Sequence, residues 1–267
     1  MMQKINLEML VNTRDLGGTK TKDNMTVKDN MLIRSGQLFG LSENDVEILL
    51  SHKLSLIVDF RTNQEKSAKP DPRISDVEYC SLPILQEKMV GVTRDETTIT
   101  DVMKKFILSN DSNMDVEEYI SYCYKLMVTN QFCLNQYTKF VDMLISNSER
   151  GATLWHCSAG KDRVGIATMI VLECLNVDRE TIINDYLDTN ENIKEEAKAA
   201  YSYFSSKLST KKAEQLVSAV FYAKEEYISM VYRLIEDTYG SVMSFLNNAL
   251  GINQDKIDKM KGIFLNG

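Results

Sequence analysis

Apolar runs along the chain predict strands in its first half and amphipathic helices over most of the remainder. The run at 54–60 is almost continuously apolar, which is typical of a strand buried on both faces of a parallel sheet. Shorter apolar segments at 31–38 and 77–83 predict two further strands, the second ended by Pro83. Over about 95–146, and again over about 180–267, apolar residues recur at three- and four-residue intervals, which predicts helices.

This order of elements predicts an α/β fold with a central, mostly parallel sheet flanked by helices. The segment at about 95–146 is then a helical insertion, and residues from about 180 to 267 form a helical C-terminal extension. Ser42, with Asp45 three residues later, predicts the start of a short helix that runs to Ser51. The chain has only 3 Pro and no repeats or low-complexity tracts, so we expect residues 1–267 to form a single domain.

The stretch with the most specific chemistry is HCSAGKDRVG at 156–165, which follows a further apolar run. A strand, a tight loop and a helix N-terminus are predicted here. The backbone N–H groups of such a loop, reinforced by the helix dipole, form a cradle for an anion and also stabilise a cysteine as its thiolate. Arg163, five residues beyond Cys157, can hold two phosphate oxygens at once. Together these features indicate phosphoryl transfer through a cysteinyl-phosphate.

The segment resembles the signature loop of the cysteine-dependent tyrosine phosphatase superfamily, His-Cys-x5-Arg. With Ala159, Gly160, Lys161 and Asp162 it is similar, more narrowly, to the bacterial tyrosine/serine phosphatase family, whose members often also accept phosphoinositides. Further segments resemble that family, namely NTRDLGG at 12–18, RSG at 34–36, DFRT with Glu65 at 59–65, and DYLDTN at 185–190. The resemblance implies a protein tyrosine phosphatase-like fold. The segments that carry it are spread over most of the chain.

We expect Cys157 to be the nucleophile and Arg163 the phosphate clamp. His156 is expected to shape the loop and support the thiolate, with a purely packed histidine as the alternative. The remaining loop and helix residues are expected to line the phosphate site, and these are Ser158, Ala159, Gly160, Lys161, Val164 and Gly165. The glycines allow backbone conformations and close packing that a side chain would hinder.

The leaving oxygen needs a proton, so a general acid is expected. Asp162 is the first choice, because a loop carboxylate beside the phosphate can reach that oxygen, and the resemblance points the same way. Asp59, at the end of its strand and supported by Arg61, is the second. For either aspartate the alternative is a structural salt bridge, with Arg61 or with Lys161.

The resemblance also implies that helices within 95–146 form a mobile lid, with plain packing helices as the alternative. Arg14 and Arg34 are expected to brace loops near the site, with surface salt bridges as the alternative. The Lys161 position resembles that of enzymes that accept phosphoinositides.

One residue departs from the family pattern. The position after the clamp arginine is usually Thr or Ser, whose hydroxyl eases breakdown of the phospho-enzyme, and here it is Val164. Valine keeps the shape and removes the donor. We therefore expect slow hydrolysis of the cysteinyl-phosphate, or, as the alternative function, a catalytically weak module that binds phosphorylated ligands.

Composition narrows the remaining classes. The 5 Cys are dispersed, which favours free thiols in a reducing compartment, and with 2 His a metal site has little support. Cys80 or Cys174 is a candidate disulfide partner for an oxidised Cys157. The net charge of −7 argues against nucleic-acid binding and against stable membrane association.

The sequence therefore predicts a cytoplasmic, cysteine-dependent phosphatase that needs neither metal nor cofactor. Phosphotyrosine in proteins is the leading substrate, and phosphoserine, phosphothreonine and phosphoinositides are secondary ones. A rhodanese-like sulfur carrier or an arsenate reductase also uses a loop cysteine, yet neither needs the Lys-Asp-Arg run. The physiological substrate and the oligomeric state are left open.

Overall fold

A mixed sheet of six strands forms the centre of the protein in the computed structural model, which describes residues 3–86 and 116–267. In chain order the strands are β1 (Gln3–Lys4), β2 (Arg14–Asp15), β3 (Thr26–Val27), β4 (Leu32–Ser35), β5 (Leu54–Asp59), β6 (Glu78–Ser81), β7 (Ala152–His156) and β8 (Leu265–Asn266). The order across the sheet is β1-β2-β4-β7-β5-β6, and β3 pairs with β8 separately. Strands β4, β7, β5 and β6 are parallel, whereas β1 and β2 extend the β4 edge in antiparallel pairing.

Helices cover both faces of this sheet and build the C-terminal half. They are α1 (Glu43–Ser51), α2 (Asn63–Ala68), α3 (Val116–Thr129), α4 (Gln131–Asn147), α5 (Asp162–Cys174), α6 (Arg179–Asn192), α7 (Lys194–Ser205), α8 (Thr210–Phe221), α9 (Glu225–Tyr239), α10 (Val242–Ser244) and α11 (Gln254–Phe264), with a π-helical turn at Phe245–Ala249. In the described part of the chain, no helix combines the length and the apolar character needed to cross a membrane.

The alternation of side chains along the strands divides the core into two clusters. On one face of the sheet Ile33, Ile57 and Leu154 pack with Leu49 of α1 in the smaller cluster. On the other face the intervening strand residues join the larger cluster, which the helical half of the chain completes. Both faces of β5 and β7 are therefore buried, which explains their near-continuous apolar sequences.

The register of the parallel strands brings three strand ends together. His156, the last residue of β7, pairs with Ser35 of β4 on one side and with Asp59 of β5 on the other. The loop that follows β7 therefore starts at the carboxyl edge of the sheet, where open α/β sheets place their ligands.

Several predictions from the sequence are confirmed. The α/β class is correct, and β5 and the strand before Cys157 form as expected. Helix α1 starts at the predicted cap, where Ser42 and Asp45 form a reciprocal capping box.

The predicted insertion at 95–146 is only partly described. Helices α3 and α4 pack in the larger cluster, which favours the packing interpretation for 116–146. Residues 95–115 of the predicted lid lie outside the described residues. Strand β8 had no predictive signal, because a two-residue pairing leaves no periodicity in the sequence.

Candidate active site

Cys157 and Arg163 lie at the two ends of the loop between β7 and α5. Cys157 directly follows the central strand and is 1% exposed, and Arg163 is the second residue of α5 and is equally buried. The structure thus places the two residues as the motif predicts, on a strand end and a helix N-terminus.

The carbonyl groups of three consecutive loop residues are bonded on the outer side of the loop. The backbone N–H of Gln37 donates to the Ser158 carbonyl at 3.2 Å. The Asn12 side-chain amide donates to the carbonyls of Ala159 and Gly160, at 3.0 Å each. Arg34 adds a further bond to the Gly160 carbonyl, at 2.7 Å.

These outward bonds fix the direction of the loop N–H groups. In a trans peptide the carbonyl of one residue and the N–H of the next point in opposite directions. Because the carbonyls of residues 158, 159 and 160 face outward, the N–H groups of 159, 160 and 161 face inward. Together with the first N–H groups of α5, at the positive end of the helix dipole, they can bind an anion.

Two glycines make this loop possible. Gly160 has a φ of +64°, and a Cβ there would lie 2.6 Å from the carbonyl oxygen of Ser35. A Cβ at Gly165 would lie 2.9 Å from the ring of Tyr186. The first position therefore needs glycine for its backbone conformation and the second for close packing of two helices.

The guanidinium of Arg163 is held by a buried carboxylate. Its two terminal nitrogens each donate to one oxygen of Glu65, both at 2.8 Å. Glu65 also accepts from the Ser158 hydroxyl at 2.7 Å and from the backbone N–H of Thr62 at 2.8 Å. This fork fixes the rotamer of Arg163 before any ligand binds.

The two charges of this fork stabilise one another. Burial raises the pKa of Glu65, but the charge and hydrogen bonds of Arg163 outweigh it and bring that pKa to about 2. Burial likewise lowers the pKa of Arg163, and the facing Glu65 charge raises it above its ordinary value. Both groups are therefore ionised at neutral pH.

A second buried ion cluster supports the loop from behind. Asp185 of α6 accepts from Nε of Arg14 at 3.1 Å and from Arg34 through its other oxygen. Arg14 also donates to the side-chain oxygen of Asn12, so both arginines support the loop contacts. Burial lowers the pKa of Arg34 to about 10, against the opposing effect of Asp185. Arg14 and Arg34 are thus buried braces and not surface salt bridges.

His156 faces a group of charged residues at the edge of the sheet. Its Nε2 lies 3.1 Å from a carboxylate oxygen of Asp71 and 3.8 Å from one of Asp59. Arg61 donates to Asp59 at 2.8 Å and lies 2.7 Å from Asp71. Burial raises the pKa of Asp71, but the facing His156 and Arg61 charges lower it overall. The Asp59–Arg61 pair favours the salt-bridge interpretation of Asp59 over a role as acid.

Among the described residues, Asp59, Asp71 and His156 form a group whose side chains can hold a metal ion. Ligand atoms of Asp59, Asp71 and His156 lie within 4.8 Å of one another. However, the guanidinium of Arg61 already bonds to both carboxylates, so a cation would have to displace it.

The two other charged residues of this segment, Lys161 and Asp162, bond to different partners. The Lys161 ammonium donates to the carbonyls of Val220 and Tyr222, at 2.7 and 3.3 Å, at the C-terminal end of α8. Asp162, at the start of α5, has one oxygen 3.5 Å from that ammonium. The same oxygen accepts from the hydroxyl of Tyr124.

Neither candidate disulfide partner is placed to reach Cys157. Cys174 ends α5, whose 13 residues put it roughly 20 Å from the loop at about 1.5 Å per residue. Cys80 lies on β6, which β5 separates from β7, so two strand spacings of roughly 4.8 Å intervene. A disulfide spans less than about 7 Å between Cα atoms. Burial also raises the pKa of Cys174 to about 12, which makes it unreactive.

For several residues of the site, nothing in the sequence indicates the role that they have in the structure. Glu65 lies in a segment that resembles the family, and it forms a capping box with Thr62, but nothing in the sequence reveals that it holds Arg163. Asn12 and Asp185 lie in segments that resemble the family, and their contacts to the loop and its braces appear only in the fold. No sequence pattern indicated a role for Tyr124 or Asp71 at the site.

A model of the tyrosine phosphatase family matches residues 5–266. The chain is 25% identical to a predicted tyrosine-protein phosphatase of Cupriavidus necator, over 97% of this chain and 88% of that protein. It is 24% identical to the triple specificity protein phosphatase PtpB of Mycobacterium tuberculosis, over 95% and 96% of the two chains. Among solved structures, P. aeruginosa TpbA in complex with pTyr overlaps 73% of this chain and 90% of its own, with 12% identity and a TM-score of 0.34.

The ion pair of Glu65 and Arg163 should make the stability of the fold depend on pH. We expect E65Q to lower the free energy of unfolding at pH 7 by roughly 3 kcal/mol, because an ionised Glu65 with a depressed pKa stabilises the fold. That stabilisation is present above the ordinary pKa of 4.5 and is lost as the pH falls toward about 2. Urea unfolding of both proteins between pH 7 and pH 2 measures the difference, which should shrink across that range.

The exposed Glu47 of α1 provides the control, since E47Q should leave the unfolding curve unchanged at every pH. A difference between wild type and E65Q that stays constant from pH 7 to pH 2 would show that Glu65 does not carry this linkage.

Proposed function

The chain belongs to the tyrosine phosphatase family, and from that premise we propose that it hydrolyses phosphomonoesters, chiefly phosphotyrosine in proteins. The reaction proceeds through a cysteinyl-phosphate on Cys157 and requires no metal. The observation that carries this proposal is the loop itself, in which the outward bonding of three carbonyls turns the intervening N–H groups inward above a buried cysteine.

In the first step the sulfur of Cys157 attacks phosphorus, and the bond from phosphorus to the substrate oxygen breaks. The inward N–H groups and the guanidinium of Arg163 stabilise the charge on the equatorial oxygens. Glu65 holds that guanidinium by a two-point fork, so little reorganisation is needed. Asp162 gives its proton to the leaving oxygen.

In the second step water attacks the phosphorus of the cysteinyl-phosphate. Asp162, now ionised, accepts a proton from that water, and the sulfur–phosphorus bond breaks. Inorganic phosphate leaves, and Cys157 returns as the thiolate. The field at the loop and the α5 N-terminus stabilises this sulfur anion as it does phosphate.

The secondary substrates rest on the relatives and on Lys161. The similarity to PtpB, whose name gives it triple specificity, supports a substrate range wider than phosphotyrosine. Phosphoserine, phosphothreonine and phosphoinositides are the further substrates that the resemblance of the loop implies. In this structure the Lys161 ammonium lies against the carbonyls of Val220 and Tyr222. To contact a phosphate on an inositol ring, it would have to exchange those carbonyls for the ligand.

A phospho-ligand binding module of low activity is the second candidate. It rests on the buried Val164, which lacks the hydroxyl that the family usually has next to the clamp arginine. The intact Cys157, Asp162 and Arg163 favour the enzyme.

The direct test is hydrolysis of p-nitrophenyl phosphate with and without EDTA. We expect the wild type to be equally active in both conditions, and C157S to lose activity by at least about 1,000-fold, because serine is not ionised at the loop. C80S makes the same chemical change at a half-buried thiol on β6 and should keep full activity. An inactive wild type that still binds phosphopeptides would favour the binding module, and loss of activity with EDTA would contradict the metal-free mechanism.

Val164 generates a prediction about the second step. Rapid mixing with excess p-nitrophenyl phosphate should give a burst of about one p-nitrophenol per active site followed by a slow phase, because breakdown of the intermediate is slow. V164T should raise the rate of the slow phase by roughly tenfold. V171T, the same change at a buried valine further along α5, should not. A linear progress curve without a burst would contradict the prediction.

A further inference from the structure

We propose that Tyr124 and Tyr186 are positioning residues, which together form a chain of hydroxyls holding one oxygen of Asp162 so that the other oxygen delivers the proton. This inference rests on the proposed function, in which Asp162 is the general acid. Each tyrosine acts through Asp162, because the two hydroxyls bond to one another and Tyr124 bonds to that carboxylate.

The chain of hydroxyls is short and fully buried. The hydroxyls of Tyr124 and Tyr186 lie 2.6 Å apart. Tyr124, in α3, donates to the Oδ1 oxygen of Asp162. Tyr186 lies in α6, and its hydroxyl reaches Asp162 only through Tyr124 in this chain. These contacts connect α3 and α6 to the acid on α5.

The acceptor at one end of the chain, the Asp162 carboxylate, fixes the direction of the hydrogens. Because Tyr124 uses its hydrogen on Asp162, its oxygen must accept the hydrogen of Tyr186. Tyr186 therefore donates to Tyr124, and Tyr124 donates to Asp162. A chain of this kind strengthens its terminal bond.

The two oxygens of Asp162 end in different environments. Oδ1 accepts from Tyr124 and lies 3.5 Å from the Lys161 ammonium. Oδ2 is buried and has no hydrogen-bond partner among residues 3–86 and 116–267. Donors that face Oδ1 favour negative charge on that oxygen, so the proton of the neutral acid resides on Oδ2. The acid is thus oriented to donate from Oδ2.

Both tyrosines remain donors over the working pH range. Burial, and then the Asp162 charge, hold the pKa of Tyr124 well above its ordinary value. The same two effects raise the pKa of Tyr186. The rings are also fixed in place, since Tyr124 stacks on Tyr227 with centroids 5.3 Å apart, and Tyr186 packs against Gly165.

The test compares two aryl phosphates that differ in their need for an acid. p-Nitrophenol is a much stronger acid than phenol and leaves without a proton, whereas phenol leaves slowly unless one is supplied. The quantity to measure is kcat/KM, because it reports the first chemical step even when breakdown of the intermediate limits kcat. Phenyl phosphate and p-nitrophenyl phosphate are compared with the full-length protein.

We expect D162N to lose at least about 100-fold in kcat/KM on phenyl phosphate and much less on p-nitrophenyl phosphate. Y124F should lose roughly tenfold on phenyl phosphate and less than about threefold on p-nitrophenyl phosphate, because the acid remains but is misdirected. Y186F should change the ratio in the same direction by a smaller factor. If Y124F does not fold, Y186F alone can test the proposal.

Y232F is the matched control, since Tyr232 is a buried tyrosine whose hydroxyl donates to the carboxylate of Glu173, on the far part of α5. It should leave both activities unchanged. Equal losses on both substrates in Y124F and Y186F, or no loss in either, would overturn the positioning role while leaving the phosphatase intact. If D162N itself shows no dependence on the leaving group, the acid assignment fails and this inference fails with it. A wild type that hydrolyses neither substrate contradicts the proposed function as a whole.

Discussion

The outward bonding of the loop carbonyls is the constraint on which the rest of the site depends. Asn12, Arg34 and Gln37 bond to the carbonyls of residues 158–160. Without these partners the inward direction of the N–H groups would not be fixed, since a loop of this length has other conformations. All three partners come from the first 37 residues, on or beside β2 and β4. Strand β4, together with the segment beside β2, therefore positions this loop as well as contributing to the core.

Buried charges keep this arrangement rigid. Arg163 with Glu65, and Asp185 with Arg14 and Arg34, are ion clusters removed from water. Desolvation makes such clusters poor sources of net stability, and removing one member is expected to cost about 3–5 kcal/mol. In the proposed mechanism they supply orientation, because an Arg163 already held in position by Glu65 needs little reorganisation as charge develops in the transition state. Against the effect of burial, the same interaction between Arg163 and Glu65 lowers the pKa of Glu65 to about 2.

The sequence predicts the local parts of this site and leaves out its long-range partners. The apolar runs identify the central strands, and the HCSAGKDRVG motif identifies the loop, because both signals are confined to a few neighbouring residues. The partners of the loop are far away in the chain, with Glu65 separated from Arg163 by 98 positions and Asn12 from Ala159 by 147. Nothing in the local pattern of either residue specifies that contact. The direction of the Lys161 side chain likewise depends on Val220, 59 residues away.

The proposed cysteinyl-phosphate mechanism is tested most directly by identifying the residue that carries phosphate during turnover. The protein is mixed with a phosphotyrosine peptide for a few milliseconds, denatured, digested and analysed by mass spectrometry. We expect a phosphoryl group on the peptide that contains Cys157, formed at the rate at which the dephosphorylated tyrosine peptide appears. Phosphate released from the substrate while Cys157 stays unmodified at all times, or a phosphoryl group on another residue, would contradict that mechanism.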